Sequence, residues 1–349
     1  MRVYLYSGMQ KMIEKSGVGR AIYHQHMAAE INQITCVNCL KDADVVHINT
    51  VFPKSVWIAN KAHKLGIPVV YHAHSTKEDF KNSYIGSNLF DDLFGIWIKH
   101  CYNSGDVIIT PSEYSKRLLE SYGIKKDIHV ISNGIDLSYY VRKDDELEHM
   151  KFRSKYGYSK EDKIVMSAGL MIGRKGLIDF VELARRFPQY KFIWFGESNL
   201  YTVPKKIRDA VHTELPNLKF AGYVKRNELK RAYESCDLFL FPSYEETEGI
   251  VVLEAMAMKI PVLLRDIPVY EGWLVGGQDV YKASNLEEFE LYIRNILEGK
   301  INDLTEQGYE VVKKNEISLV GKALQNVYSE VLKQKEIDTE KVLETDSMF

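Results

Sequence analysis

The chain has 349 residues, 45% of them apolar and 27% charged, with 22 Gly and 9 Pro, which suits two globular domains and rules out a fibrous or disordered protein. Lys and Arg number 46 against 48 Asp and Glu, a formal charge of −2, so the surface as a whole is not built to neutralise a phosphodiester backbone, and no nucleic-acid partner is expected. No apolar run of about 18 residues occurs, Met1-Arg2-Val3-Tyr4-Leu5-Tyr6 is too short for a secretory signal, and the cysteines make no disulfide framework, so a cytoplasmic protein is expected.

Short β-branched and aromatic runs alternate with stretches of helical period. Strands are predicted at 2–6, 44–49, 68–73, 106–110 and 128–132, with helices from about 19, from about 54, over 89–103 and over 112–122. The pattern lapses between 136 and 163, where Arg142-Lys143-Asp144-Asp145-Glu146 reads as a linker and a helical approach. It restarts with strands at 163–168, 191–196, 218–221, 237–242 and 261–265, and helices at 176–187, at 226–235 and around Glu254. Helical stretches at 286–297 and 317–335 precede an acidic tail, 336–349, that is expected to fray.

Such alternation implies parallel strands joined by right-handed crossovers. The expected fold is α/β, with two doubly wound Rossmann-like domains at 1–145 and 146–316 facing a cleft, and the helix 317–335 packing back towards the first. Ligands of open α/β sheets bind at the C-terminal ends of the strands.

Five segments, and a lesser Asp-x-Asp, could carry chemistry. Cys36-x-x-Cys39 lacks a second cysteine pair, so it reads as small buried residues on a strand rather than as zinc. Ser16-Gly17-Val18-Gly19-Arg20 is a turn before a helix, where two glycines admit close approach of a ligand; Ile22 stands where a dinucleotide fingerprint needs a third glycine. His72-Ala73-His74 puts two imidazoles on one face of a strand end; a metal would need a third ligand, whereas His74 could donate to a substrate. Gly173-Arg174-Lys175-Gly176 sets two cations at a helix start, suited to a diphosphate whose charge grows as it leaves.

The fifth is Pro242-Ser243-Tyr244-Glu245-Glu246-Thr247-Glu248-Gly249-Ile250-Val251-Val252-Leu253-Glu254. Glu246 lies in the loop after a strand, Glu254 lies inside the following helix, and between them the Gly249, Ile250 and Val251 amides form an anion site. A nucleotide sugar offers sugar hydroxyls, phosphates and ribose hydroxyls in that order. Asp42-Ala43-Asp44 has metal-binding spacing but precedes a strand and reads as a turn.

Glu246-x7-Glu254 with Ala255-Met256-Ala257, together with Arg174-Lys175-Gly176, Ser16-Gly17-Val18-Gly19-Arg20 and Ile131-Ser132-Asn133-Gly134-Ile135-Asp136, resembles retaining glycosyltransferase family 4 of the GT-B fold over about residues 1–333. The resemblance implies that Glu254 holds the donor ribose, Glu246 the donor sugar, and Arg174 and Lys175 the diphosphate. It further implies that Gly17 and Gly19 pass near the diphosphate, that His74 contacts the hexose, and that no resident metal is required, a divalent cation being at most stimulatory. One departure is Gly169-Leu170, where the family usually has Gly-Arg.

For the acceptor, Tyr71-His72-Ala73-His74-Ser75-Thr76-Lys77-Glu78-Asp79-Phe80 and Pro268-Val269-Tyr270-Glu271-Gly272-Trp273-Leu274 resemble segments of bacterial enzymes that glycosylate diacylglycerol or glucosyl-diacylglycerol. That resemblance implies a UDP-glucose or UDP-galactose donor, a diacylglycerol glycolipid acceptor and a place on the cytoplasmic face of the membrane. Phe90, Leu93, Phe94, Trp97, Ile98 and Cys101 fall at helical spacing, either as a membrane-interface stripe or as a helix packed on the sheet. Lys11, Lys15, Lys77, Lys81, Lys125 and Lys126 could face an anionic membrane surface. A soluble or polysaccharide acceptor, and a non-catalytic sugar-nucleotide-binding protein, are the alternatives.

Overall fold

A computed structural model describes residues 1–9, 13–143 and 145–346, with side chains as far as Ile337. Lys11, Asp144 and residues 347–349 of the tail lie outside the described residues. The chain divides into two compact units: Met1–Lys77, Asp92–Gly134 and Asn315–Phe349 form the first, and Glu78–Asp91 and Ile135–Lys314 the second.

The first unit carries a parallel sheet in the order β2-β1-β3-β4-β5-β6, with β1 at Arg2–Tyr6, β2 at Thr35–Cys36, β3 at Val45–Ile48, β4 at Val69–His72, β5 at Val107–Thr110 and β6 at Ile128–Val130. Residues alternate between the faces with period two. Val46, Ile48, Val69, Tyr71 and Ile108 point to one side, onto Val56, Ala59 and Ala62 of the helix Pro53–Lys64 and onto Ile98 and Cys101 of the helix Ser87–Asn103. Val3, Val45, Val70 and Ile109 point to the other, onto Ala28 and Ala29 of the helix Gly17–Ile31 and onto Val320, Leu324 and Val327 of the helix Ile317–Asp346. Each fully buried Val, Ile or Leu adds roughly 1.5–3 kcal/mol of apolar transfer free energy, so both helix layers are held firmly.

The second unit has a parallel sheet ordered β12-β11-β10-β7-β8-β9, with β7 at Ile164–Ala168, β8 at Lys191–Phe195, β9 at Leu218–Gly222, β10 at Leu238–Phe241, β11 at Val262–Arg265 and β12 at Tyr281–Ala283. Counted within the unit this is the 3-2-1-4-5-6 order, whose switch point lies between β7 and β10. The loops leaving those two adjacent strands start side by side there. Phe180, Phe192, Trp194, Leu240, Leu263 and Phe289 fill the core.

Both doubly wound sheets match the expected α/β class. Elements with too few residues to show a period were not foreseen: β2, β12, and the helices Lys77–Phe80 and Lys205–Val211; nor was the nine-residue helix Thr305–Lys313. Cys36 and Cys39 are exposed rather than buried: Cys36 ends a two-residue edge strand, and Cys39 lies in the loop after it, before the turn Leu40–Asp42. The final helix runs on to Asp346 where fraying was expected; the tail contains neither Gly nor Pro, and Glu336, Glu340 and Glu344 are good helix formers.

Candidate active site

In the second unit, the loop after β7 and the loop after β10 come together. Gly176 makes this approach possible: its φ is +72°, and a Cβ there would lie 2.1 Å from the Pro242 carbonyl oxygen. Tyr244 N–H donates to the Arg174 carbonyl at 2.7 Å, and Arg174 Nη1 donates to the Glu245 carbonyl at 2.9 Å. Arg174 Nε donates to Ser83 Oγ at 3.1 Å, and its backbone N–H donates to the Asn82 carbonyl at 3.2 Å.

Lys175 and Glu246 meet at the centre of this junction. The Lys175 ammonium donates to Glu246 Oε1, Ser243 Oγ donates to the same oxygen at 2.6 Å, and Arg174 Nη1 stands 3.9 Å from Oε2. Burial alone would raise the Glu246 carboxyl, but Lys175, Arg174 and the Ser243 hydroxyl outweigh it and hold the group below the usual carboxylate range. Burial pulls Lys175 down, and Glu246 only partly offsets that. Two cations thus share the Glu246 carboxylate, and Asp79 also acts on Lys175. The Lys175 stem also passes within 3.7 Å of where a Cβ on Gly169 would sit.

Gly249, at φ +93°, starts the helix Ile250–Ala257, so the Ile250 and Val251 amides belong to its first turn. One to two turns on, Glu254 is 1% exposed. Tyr140 O–H donates to its Oε1 at 2.6 Å and Tyr233 O–H to its Oε2 at 3.1 Å. Tyr140 is in turn flanked by the Arg226 guanidinium, 5.1 Å from its ring centroid, and Arg226 pairs with Asp136 at 3.2 Å. Glu246 and Glu254 therefore differ in kind: the first is ion-paired, the second is held by phenols.

The remaining predicted residues lie in the first unit. His74 follows β4, is buried, and donates from Nε2 to Asn49 Oδ1 at 2.8 Å; its ring stacks on that of His72 at 4.0 Å and 9°. Burial pushes the His74 imidazolium down to about 3, so the ring is neutral near pH 7. Ser16 caps the helix Gly17–Ile31, accepting from Gly19 N–H at 3.4 Å. A Cβ on Gly19 would meet Ile13 O at 2.3 Å, so that glycine answers to its own chain, whereas Gly17 faces open space.

Two family models cover the chain. "Glycosyltransferase Family 4" matches residues 22–139 and "Glycosyl transferases group 1" matches residues 149–313. The processive diacylglycerol alpha-glucosyltransferase of Acholeplasma laidlawii is 39% identical over 96% of this chain and 100% of its own length. The chain belongs to glycosyltransferase family 4. Another relative of this family-4 glycosyltransferase, the alpha-galactosylglucosyldiacylglycerol synthase of Streptococcus pneumoniae, is 26% identical over 81% of this chain and 76% of its own. Anabaena HepE in complex with UDP and glucose superposes with a TM-score of 0.74, covering 94% of this chain and 99% of its own at 17% identity, which establishes the GT-B fold.

Elsewhere on the glycosyltransferase, Asp44 pairs with Arg2 at 2.7 Å, and among the described residues no group of three or more His, Cys, Asp and Glu could hold a metal. The apolar stripe divides between two faces of its helix. Ile98 and Cys101 are buried, Phe94 and Trp97 pack on the sheet, and Trp97 Nε1 donates to the Val51 carbonyl at 2.6 Å. Phe90 and Leu93, with Leu89 and Ile96, are exposed. Lys77 and Lys81 pair with Asp92 and Asp91, so neither offers an unshared charge. Among the described residues no helix is long and apolar enough to cross a membrane. Tyr140, Tyr233 and Ser243 in the second unit, beside Glu254 and Glu246, and Asn49 in the first, beside His74, were not foreseen; only the placement of their backbones brings their polar atoms to those partners.

Proposed function

We propose that this glycosyltransferase moves a hexose, glucose or galactose, from a UDP-sugar to glucosyl-diacylglycerol with retention of anomeric configuration, giving a diglycosyl-diacylglycerol. The reading is carried by the convergence of Lys175 and Arg174 on Glu246 beside the first turn of the helix Ile250–Ala257. That arrangement matches a sugar diphosphate, with cations and amides for the phosphates and a carboxylate for sugar hydroxyls. The lipid acceptor draws on the names of the relatives, which include diacylglycerol glucosyltransferases and a galactosylglucosyldiacylglycerol synthase.

In this mechanism the incoming diphosphate competes with Glu246 for Lys175 and Arg174. Released from part of its ion pairing, Glu246 accepts from hydroxyls of the hexose, while Glu254 accepts from the ribose with Tyr140 and Tyr233 fixing its oxygens. His74 presents a neutral imidazole to the donor ring. The acceptor hydroxyl attacks the anomeric carbon from the face the phosphate leaves; that bond forms as the carbon–oxygen bond to phosphate breaks, and the departing phosphate oxygen takes the acceptor's proton. Charge developing on the diphosphate is stabilised by Lys175, Arg174 and the Gly249, Ile250 and Val251 amides. The open space at Gly17 favours it over Gly19 for a close approach to the donor. The exposed face of the helix Ser87–Asn103 suits a lipid surface at the cytoplasmic side.

Purified protein incubated with radiolabelled UDP-glucose or UDP-galactose and vesicles containing glucosyl-diacylglycerol should yield labelled diglycosyl lipid with an α linkage. Label appearing only in water-soluble products would replace the lipid acceptor with a soluble one. No transfer to any acceptor would leave a binding protein.

A further inference from the structure

Behind His74 runs an unbroken string of buried hydrogen bonds, all within the first unit. The Tyr328 hydroxyl, on the C-terminal helix, lies 2.6 Å from His47 Nδ1, and His47 Nε2 stands 3.2 Å from His72 Nδ1. Gln25 Nε2 donates to the same His72 nitrogen at 3.0 Å and to Asn49 Oδ1 at 2.7 Å; Asn49 Oδ1 also accepts from His74 Nε2. The rings form a column, His47 on His72 at 5.3 Å and His72 on His74 at 4.0 Å. The sheet's period explains the column: His47 and His72 continue the face begun by Val45 and Val70, so they lie beneath the helices Gly17–Ile31 and Ile317–Asp346.

Burial, reinforced by the neighbouring rings, keeps His47 and His72 neutral, so each imidazole in the string carries one N–H whose position is a choice. The links make that choice collective. If Tyr328 donates, His47 Nδ1 accepts and its proton sits on Nε2, directed at His72 Nδ1. His72 is then protonated on Nε2, Gln25 must present its amide N–H groups, and Asn49 its carbonyl. His74 is left protonated on Nε2, with Nδ1 as a lone pair. The reverse order requires the Gln25 and Asn49 amides both to be turned end for end, and ends with a proton on His74 Nδ1. A phenol is a better donor than acceptor, which selects the first order.

We propose that Tyr328 is a positioning residue for glycosyl transfer, fixing through His47, His72, Gln25 and Asn49 the tautomer in which His74 offers Nδ1 as an acceptor to a hydroxyl of the donor hexose. The proposal rests on the reading that His74 contacts the donor. It has independent support in the leftover groups: His72 Nε2, Asn49 Nδ2 and Gln25 Oε1 are buried and have no hydrogen-bond partner among the described residues.

The test uses the full chain labelled with 15N-histidine. Long-range proton–nitrogen spectra should show His74 protonated at Nε2 in the wild type and a population protonated at Nδ1 in Tyr328→Phe, which keeps the ring and loses only the hydroxyl. Turnover in Y328F should fall about tenfold with the donor KM within about twofold. Gln25→Met cuts the string at its middle, so adding Y328F to it should cost nothing further. An unchanged His74 tautomer with unchanged kcat in Y328F, or fully additive losses in the double variant, would overturn the relay. Should Y328F fold poorly, Gln25→Met alone carries the same expectation for His74. His74→Ala separates the two layers: wild-type turnover there removes the donor contact itself, whereas an inactive H74A beside an unaffected Y328F removes only the relay.

Discussion

Tyr140 donates to Glu254 Oε1 at 2.6 Å, and with Tyr233 on the other oxygen it holds a carboxylate that is 1% exposed. A buried carboxylate without its donors is costly, so the phenols permit Glu254 to remain inside the second unit and fix which lone pairs stay available. Tyr140→Phe should therefore lower unfolding free energy by about 1–3 kcal/mol in urea titrations. Calorimetry should show UDP binding weakened by about tenfold, equivalent to ~1.4 kcal/mol. Unchanged UDP affinity in Y140F would detach Glu254 from the ribose.

Lys175 and Glu246 are both largely buried, so removing one takes away the nearest opposite charge from the other. Lys175→Ala or Glu246→Ala should abolish turnover and also destabilise by roughly 3–5 kcal/mol. The double variant Lys175→Met/Glu246→Gln should recover much of that stability while staying inactive, because no charge is stranded. Thermal midpoints and initial rates measured together distinguish this from a purely structural pair, for which activity would return with stability.

The neutral histidine column makes stability depend on acidity. Folded His47 and His74 titrate near about 3 against an ordinary value of 6.5, and His72 lies well below it. Unfolding below pH 6.5 therefore takes up protons, so the stability is complete above that value and is lost as pH falls towards 3. With three such groups the limiting slope is about 4 kcal/mol per pH unit. Urea midpoints measured at intervals between about pH 7.5 and pH 5 should show it, and His47→Gln should remove one proton from the slope. A flat profile would mean that the column is not neutral in the folded protein.

The architecture was readable because its signals are local. Strand and helix periods repeat along each unit, and β-branched runs such as Val69-Val70-Tyr71 need no distant partner to be recognised. The meeting of Arg174 and Lys175 with Glu246 follows from topology, since both loops leave the same ends of adjacent strands β7 and β10. What stayed hidden depends on long-range register. Nothing around Tyr140 or Tyr328 marks it as facing Glu254 or His47, and the exposure of Cys36 depends on its strand being two residues long at a sheet edge. Helical spacing alone also could not say that the apolar stripe would be shared between core and surface.

The exposed side of the helix Ser87–Asn103 makes the membrane reading testable. Leu89, Leu93 and Ile96 are 77%, 62% and 68% exposed and lie three or four residues apart, so they form one face that nothing in the fold requires to be apolar. Burying a Leu or Ile in the acyl boundary contributes roughly 1.5–3 kcal/mol. Leu93→Asp/Ile96→Asp should therefore weaken binding to glycolipid vesicles by well over about tenfold in sedimentation assays. Because both side chains point to solvent, the unfolding midpoint should shift little, within about 0.5 kcal/mol per site. Transfer to a short-chain, water-dispersed acceptor should be retained, since the substitutions are confined to this helix and touch none of the donor residues. Equal losses on vesicles and on the dispersed acceptor would assign this face to catalysis or folding and not to the lipid surface.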